Sequence, residues 1–499
     1  MCVGLPLLLE GTPSMRSRTA RRALTAAVGA AAVILVPLWA AAPYPAGPER
    51  MQVYLTTTSD PAGRRVVKGL EKQAPLPFIQ GGTAGITVDE SKTYQRFEGG
   101  GASFTDTAAW LLKSSGALSG ATRDATLKKL FDPATGIGLG FIRNPMGTSD
   151  LARFGYTFDD MPAGRTDPEL RNFSLAHDLA GVLPLTARAR ELNPAVKVMA
   201  SPWSAPAWMK DNEKLEQGRL RSRYYATYAR YFVKYLQAYR DRGVPVDYVS
   251  VQNEPTCCSG YPSMRWNASG LAYFTKNDLL PALRQAGLAT KVLALDWNWD
   301  RYDAFARETV DDPAIRRHPN FGGIAWHGYG GDVGQQTLMH DRYPGLPAYD
   351  TEHSGGRWIG NQQREDMHNL IDYTRNWGRS WVKWSIAVDR NGGPHHGGCG
   401  NCTGLITVHH GAGRGHGTVD YTVEYYTMGH LTKFVRPGAH RIGSTASATV
   451  PNVAWRNPDG SRALIAYNDT GRTRRTAVNW GGRHVTYDLP AGAAATFTW

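Results

Sequence analysis

Eight short apolar runs, each followed by polar, glycine-rich or aromatic residues, constrain this chain more than any other feature. They fall at 97–103, 140–144, 197–201, 248–252, 291–295, 323–327, 348–351 and 381–387, and helical stretches such as 121–131, 175–192, 223–242 and 270–285 lie between them. Such alternation builds βαβ units on a parallel sheet. Eight units over about 330 residues predict a closed (β/α)8 barrel with elaborated loops. The alternative is an open doubly wound sheet. It lacks support, because Gly99-Gly-Gly101 after the first run has neither the spacing nor the acidic partner of a phosphate-binding turn.

Beyond Pro437 the pattern changes to short strands at 452–456, 463–467, 483–489 and 494–499, with Asn457-Pro-Asp-Gly460 as a hairpin turn. These predict a β-sandwich completed by strands before the barrel, at 51–58 and 85–88. We expect this domain to brace the barrel rather than bind sugar. The expected organisation is a signal segment at 1–42, amino-terminal sandwich strands within 43–96, the barrel at 97–430 and the rest of the sandwich at 431–499.

Catalytic groups of such barrels lie at the carboxyl ends of the strands. Two of the eight runs end in glutamate: Val249-Ser-Val-Gln-Asn-Glu-Pro255 and Pro347-Ala-Tyr-Asp-Thr-Glu-His353. Pro255 cannot extend a ladder, so Glu254 is expected to face the cleft. Glu352 sits correspondingly on the seventh strand. Paired carboxylates about 5–5.5 Å apart perform glycoside hydrolysis with retention, one protonated and one ionised. Glu254 reads as the acid/base and Glu352 as the nucleophile, with Arg143 and His327 as the donors that keep it charged. Asn253 is placed to donate to a sugar 2-hydroxyl.

The chain has 15 Trp, more than a core of this size needs. The stiff Ser201-Pro-Trp-Ser-Ala-Pro-Ala-Trp-Met-Lys210 loop offers Trp203 and Trp208, and Trp384 and Tyr329 offer further faces for sugar C–H groups. Asp150, after the second strand, is a candidate for two sugar hydroxyls, with a helix cap or a surface ion pair as the plainer reading.

Together Arg143-Asn-Pro-Met-Gly147, the 201–210 loop, Asn253-Glu-Pro255, His327-Gly-Tyr329, Thr351-Glu352, Trp384-Ser-Ile-Ala-Val-Asp389 and Gly392-Gly-Pro394 resemble glycoside hydrolase family 30, the glucosylceramidase-like group. The resemblance runs in order from about Met51 to the end. It implies the barrel with a sandwich from both chain ends, a retaining mechanism, Glu254 as acid/base and Glu352 as nucleophile. It also implies sugar contacts at Arg143, Asp150, Trp203, Asn253, Tyr329 and Trp384. Gly328 and Leu151 depart from the lysosomal lipid-cleaving members, which carry aromatics there, and so turn the expectation away from ceramide.

The formal charge of +13 is spread over scattered arginines, without the stripe or module that nucleic-acid binding requires. A basic segment at 16–22, an apolar run at 23–39 and Ala40-Ala-Ala42 predict an export signal, with an uncleaved membrane anchor as the alternative. Its removal leaves Cys257, Cys258, Cys399 and Cys402, which in an exported chain are expected to form disulfides of open connectivity. Zinc held by Cys399 and Cys402 with His395, His396, His409 or His410 is the alternative. The expected protein is an exported retaining glycosidase of β-glucosides or β-glucans, β-1,6-linked ones included, with a carbohydrate substrate, no metal, no cofactor and no obligate protein partner. A related β-xylosidase, fucosidase or galactanase, and a non-catalytic carbohydrate-binding protein, are the alternatives.

Overall fold

The computed structural model describes residues 49–257, 260–413 and 415–499. The expected signal at 1–42 and Cys258 lie outside these residues. No helix among the described residues is long and apolar enough to cross a membrane.

Eight parallel strands close into a barrel: β1 (Gly99–Ser103), β2 (Phe141–Pro145), β3 (Lys197–Ser201), β4 (Tyr248–Ser250), β5 (Lys291–Asn298), β6 (Phe321–His327), β7 (Ala348–Gly356) and β8 (Gly378–Trp384). Each pairs with its successor and β8 pairs with β1, so no edge remains open. The inner layer takes one large or small apolar side chain from each of β2 to β8: Phe141, Met199, Tyr248, Leu293, Ala325, Tyr349 and Val382. At this level β1 contributes Gly101, where a Cβ would lie 1.7 Å from the Phe141 carbonyl oxygen. The glycine run is thus a packing requirement of the closed barrel.

The strand ends differ from expectation where the site lies. β4 stops at Ser250, two residues early, because the chain turns: Glu254 has φ +43, a left-handed conformation that disfavours non-glycine residues. Two backbone bonds hold this turn, Asn253 N–H to Pro202 O (2.8 Å) and Glu254 N–H to Asp296 O (2.9 Å). β7 does not end at Glu352. Its register breaks around that residue, and it runs on to Gly356, where Gly355 and Gly356 pair with Thr403 and Cys402. β8 starts at Gly378 rather than Trp381, with Gly378 opposite Ala348 and Ser380 opposite Gly99.

Both chain ends build the second sheet. Arg50–Thr58 lies between Val66–Lys72 and Ala494–Thr498, with Gln52 opposite Thr498. The order continues through Arg462–Tyr467, Asn452–Arg456, His440–Ser444, Ile86–Arg96, Arg474–Trp480 and Arg483–Leu489. One apolar core takes Val53 and Phe497 from one half and Val478 and Val485 from the other, which is sandwich packing. The helix Val423–Thr432 bridges to the barrel: His430 bonds Thr56 Oγ1 and Thr496 Oγ1, both at 2.8 Å.

Candidate active site

Arg143 projects from β2 into the carboxyl end of the barrel and is fully buried. Its guanidinium donates to Glu352 Oε2 (2.5 Å), Asn253 Oδ1 (2.7 Å) and Asp296 Oδ2 (2.8 Å). Asp296, on β5, also accepts from Ser201 Oγ (2.6 Å), Ser250 Oγ (2.6 Å) and Thr351 Oγ1 (2.9 Å). His327 ends β6 with Nε2 3.0 Å from Asp296 Oδ1 and Nδ1 2.9 Å from Glu254 Oε1. Each glutamate is thus held by a different basic residue, and Asp296 holds both basic residues. Tyr329 OH donates to Glu352 Oε1 (3.0 Å) and pairs with Ser354 Oγ (2.8 Å). One carboxylate oxygen of Glu254, one of Glu352 and a His327 nitrogen all lie within 4.8 Å of one another.

Burial, Glu352 beside it and the other contacts divide the charges unequally. Burial raises the Glu254 carboxyl above its ordinary value, against the pull of His327. Burial opposes charge on His327, but Glu352, Asp296 and Glu254 override it and hold the ring up at about 9. Burial likewise opposes charge on Asp296, and Arg143 and His327 reverse the effect, leaving it well below the carboxylate range. With the proton on Glu254, two cations face two anions and the buried cluster is neutral. The three-residue grouping has the span of a cation site, but both His327 nitrogens and the Glu352 oxygens already meet protein partners, so it fits proton transfer better than metal binding.

The rim carries the sugar-facing candidates. Trp203 stacks on Trp384 (5.1 Å, 27°) and covers Arg143 (5.0 Å). Trp208 does not join them: it is buried, and its Nε1 donates to Asp159 O (2.9 Å). Asp150 is fixed by the loop after β8, its carbonyl accepting from His396 N–H (2.6 Å) and Oδ2 from Cys399 N–H (3.4 Å). Burial, then the nearby Glu352, pushes its carboxyl up to about 7. Cys399 and Cys402 form a disulfide, so the zinc alternative falls. His409 and His410 instead bond Asp420 (2.7 Å) and Asp389 (3.0 Å). At Gly328 a Cβ would meet Tyr373 OH at 1.5 Å, so Tyr373 occupies the space that a side chain there would need.

The candidates Glu254, Glu352, Arg143, Asn253, His327 and Tyr329 therefore meet in one cluster, and Asp150, Trp203 and Trp384 border it. His327 serves chiefly Glu254 rather than Glu352, from which its Nδ1 is 4.0 Å. Sequence reasoning missed Asp296. Its only signal was an acidic residue just past the fifth apolar run.

Comparison with known proteins places this geometry. Residues 97–435 match the glycosyl hydrolase family 30 TIM-barrel domain and 438–497 the family 30 beta sandwich domain. The chain is 33% identical over 441 residues to Endo-1,6-beta-D-glucanase neg1 of Aspergillus fumigatus, covering 80% of this chain and 85% of that one. It is 28% identical over 438 residues to the lysosomal acid glucosylceramidase of Mus musculus, covering 80% and 81%. Among solved structures, the endo-beta1,6-glucanase BT3312 superposes with a TM-score of 0.80 at 29% identity, over 90% of this chain and 99% of that one. A barrel and sandwich that each match their family model, joined in the same order around this carboxylate pair, make the chain a member of glycoside hydrolase family 30, a glycosidase.

Proposed function

We propose that this enzyme is an exported retaining endo-β-1,6-glucanase. The observation that carries the mechanism is the short separation of the two carboxylates, within 4.8 Å between one oxygen of each. Inverting enzymes hold their carboxyl groups about 6.5–9.5 Å apart to admit a water between them. Glu352, paired with Arg143, attacks the anomeric carbon while Glu254 gives its proton to the glycosidic oxygen. Glu352 is then esterified to the sugar. A water loses its proton to Glu254 and attacks the same carbon, which frees Glu352 and returns the sugar with its β configuration. Asn253, oriented by Arg143, serves the 2-hydroxyl. The β-1,6-glucanase activities for which the fungal relative and BT3312 are named support the β-1,6 linkage for this chain.

The test is hydrolysis of linear β-1,6-glucan, β-1,3-glucan, an aryl β-glucoside and glucosylceramide, with the first-formed anomer followed by NMR. Oligosaccharides released from β-1,6-glucan as the β anomer are expected. An α product overturns the mechanism, and turnover of glucosylceramide alone overturns the substrate. Glu352→Gln is expected to abolish turnover while sugar binding persists. Export is checked by sequencing the amino terminus of the protein recovered from the culture medium.

A further inference from the structure

Past Glu352 the seventh barrel strand continues upward from the catalytic cluster and ends in a turn that the chemistry above does not use. Gly356, Arg357, Trp358 and Ile359 form this turn, closed by Ile359 N–H donating to Gly356 O (3.1 Å). Arg64 donates to the carbonyls of Gly356 (2.9 Å) and Ile359 (2.6 Å), and Gln362 Oε1 accepts from Gly356 N–H (3.2 Å). On the other side Arg357 N–H donates to Asn401 O (3.0 Å), within the loop closed by the Cys399–Cys402 disulfide. The turn is fixed from three directions.

Trp358 is its most conspicuous residue. Its six-membered ring lies against Gly356, where an added Cβ would meet ring atoms at 1.9–2.3 Å, so only glycine lets the ring rest there. The residue is 52% exposed. No aromatic or cationic partner covers the ring among the described residues. By contrast Trp203 and Trp384, beside the catalytic cluster, are packed on each other. A rigidly held, half-bare indole is costly to leave in water and suits the apolar C–H face of a pyranose. Arg357, next to it in the turn, is exposed and donates to the carbonyl of Arg390, which is exposed as well.

The strand also sets the distance. Gly356 lies four positions past Glu352, roughly 13 Å at the rise of a β-strand. That is beyond the sugar whose anomeric carbon meets Glu352 and within reach of later units of a chain. Tyr329, 42% exposed and bonded to Glu352 and Ser354, lies between the two levels. We propose that Trp358 is the platform of a distal subsite that binds a β-glucan chain away from the bond being cleaved. This rests on the glucanase reading, and it gives that reading a basis for internal cleavage of polymers.

The experiment combines Trp358→Ala and Trp358→Phe with two readouts. In gels cast with linear β-1,6-glucan, wild type is expected to be retarded, the alanine variant to lose affinity about tenfold, and the phenylalanine variant to keep most of it. With an aryl β-glucoside, which does not reach the platform, all three are expected to share one kcat/KM. Retardation of the alanine variant equal to wild type overturns the proposal, as does an equal loss on the aryl glucoside. If β-1,3-glucan alone retards the protein and Trp358→Ala abolishes this, the linkage reading falls and the platform stands. If neither glucan retards wild type, both fall.

Discussion

Asp296 touches no substrate in the proposed reaction, yet five side chains converge on it and two of them reach the glutamates. Replacing it with asparagine keeps the shape and removes the charge that orients Arg143 and keeps His327 protonated. Asp296→Asn is expected to lower kcat by about a hundredfold, with KM changed less than about threefold. A loss confined to KM would instead make it a determinant of sugar binding. Glu254 supplies a second prediction. In the proposed reaction its burial-raised carboxyl must be protonated to act, so the alkaline limb of the pH profile should lie above the ordinary glutamate value of 4.5. Glu254→Gln should lose that limb with an aryl glucoside whose leaving group needs no proton. A limb unchanged in the variant would assign it elsewhere, Asp150 being the nearest candidate at about 7. That the two glutamates, Arg143 and Asn253 cluster was legible because apolar runs and neighbouring motifs mark them, although the strands themselves end elsewhere. Asp296 was not, since its role exists only once β2, β3, β4, β6 and β7 converge on β5.

At the scale of elements, the first helix after β1 is tied to its neighbours through one carboxylate. Asp106 opens the helix Asp106–Ala109 and accepts from Arg153, on the loop after β2, and from His177 in the helix Ala176–Ala180 (2.8 Å). Burial works against its charge, but His177 and Arg153 reverse that and lower it to about 2. A carboxylate depressed in the folded state contributes stability above its unfolded value, and that contribution disappears as pH falls from about 4 to about 2. Asp106→Asn should cost about 2 kcal/mol at pH 7 in urea denaturation, the gap to wild type closing over that window. A gap independent of pH would mean that packing alone holds these elements. The barrel strands themselves were legible because a strand buried on both faces reads as a continuous apolar run. Arg474–Trp480 was not, because Arg472-Thr-Arg-Arg475 reads as a basic turn although it leads into a central sandwich strand. The extension of β7 was equally invisible, since its partner Cys402–Thr403 lies in a loop some fifty residues on.

For the whole molecule, His430 joins the last barrel helix to strands from both chain ends. It is buried without a charged partner, and burial lowers its ring to about 3. The unfolded chain takes up this proton at about 6.5, so below that value protonation favours unfolding by roughly 1.4 kcal/mol per pH unit, down to about 3. His430→Gln, which cannot charge, should flatten the decline of melting temperature between pH 6.5 and 4. An identical decline in the variant would place the acid sensitivity elsewhere.

The pairing of Gln52 with Thr498 has a further consequence, in time. A ribosome adding about 5–20 residues per second takes roughly 20–90 s to travel from one of these residues to the other. Throughout that interval Arg50–Thr58 has no Ala494–Thr498 beside it, and its apolar row of Met51, Val53 and Leu55 has only part of its eventual cover. All eight barrel strands have left the ribosome by then. Among the described residues the first strand to be made is completed by the last, and the cell must keep it from other partners in the meantime.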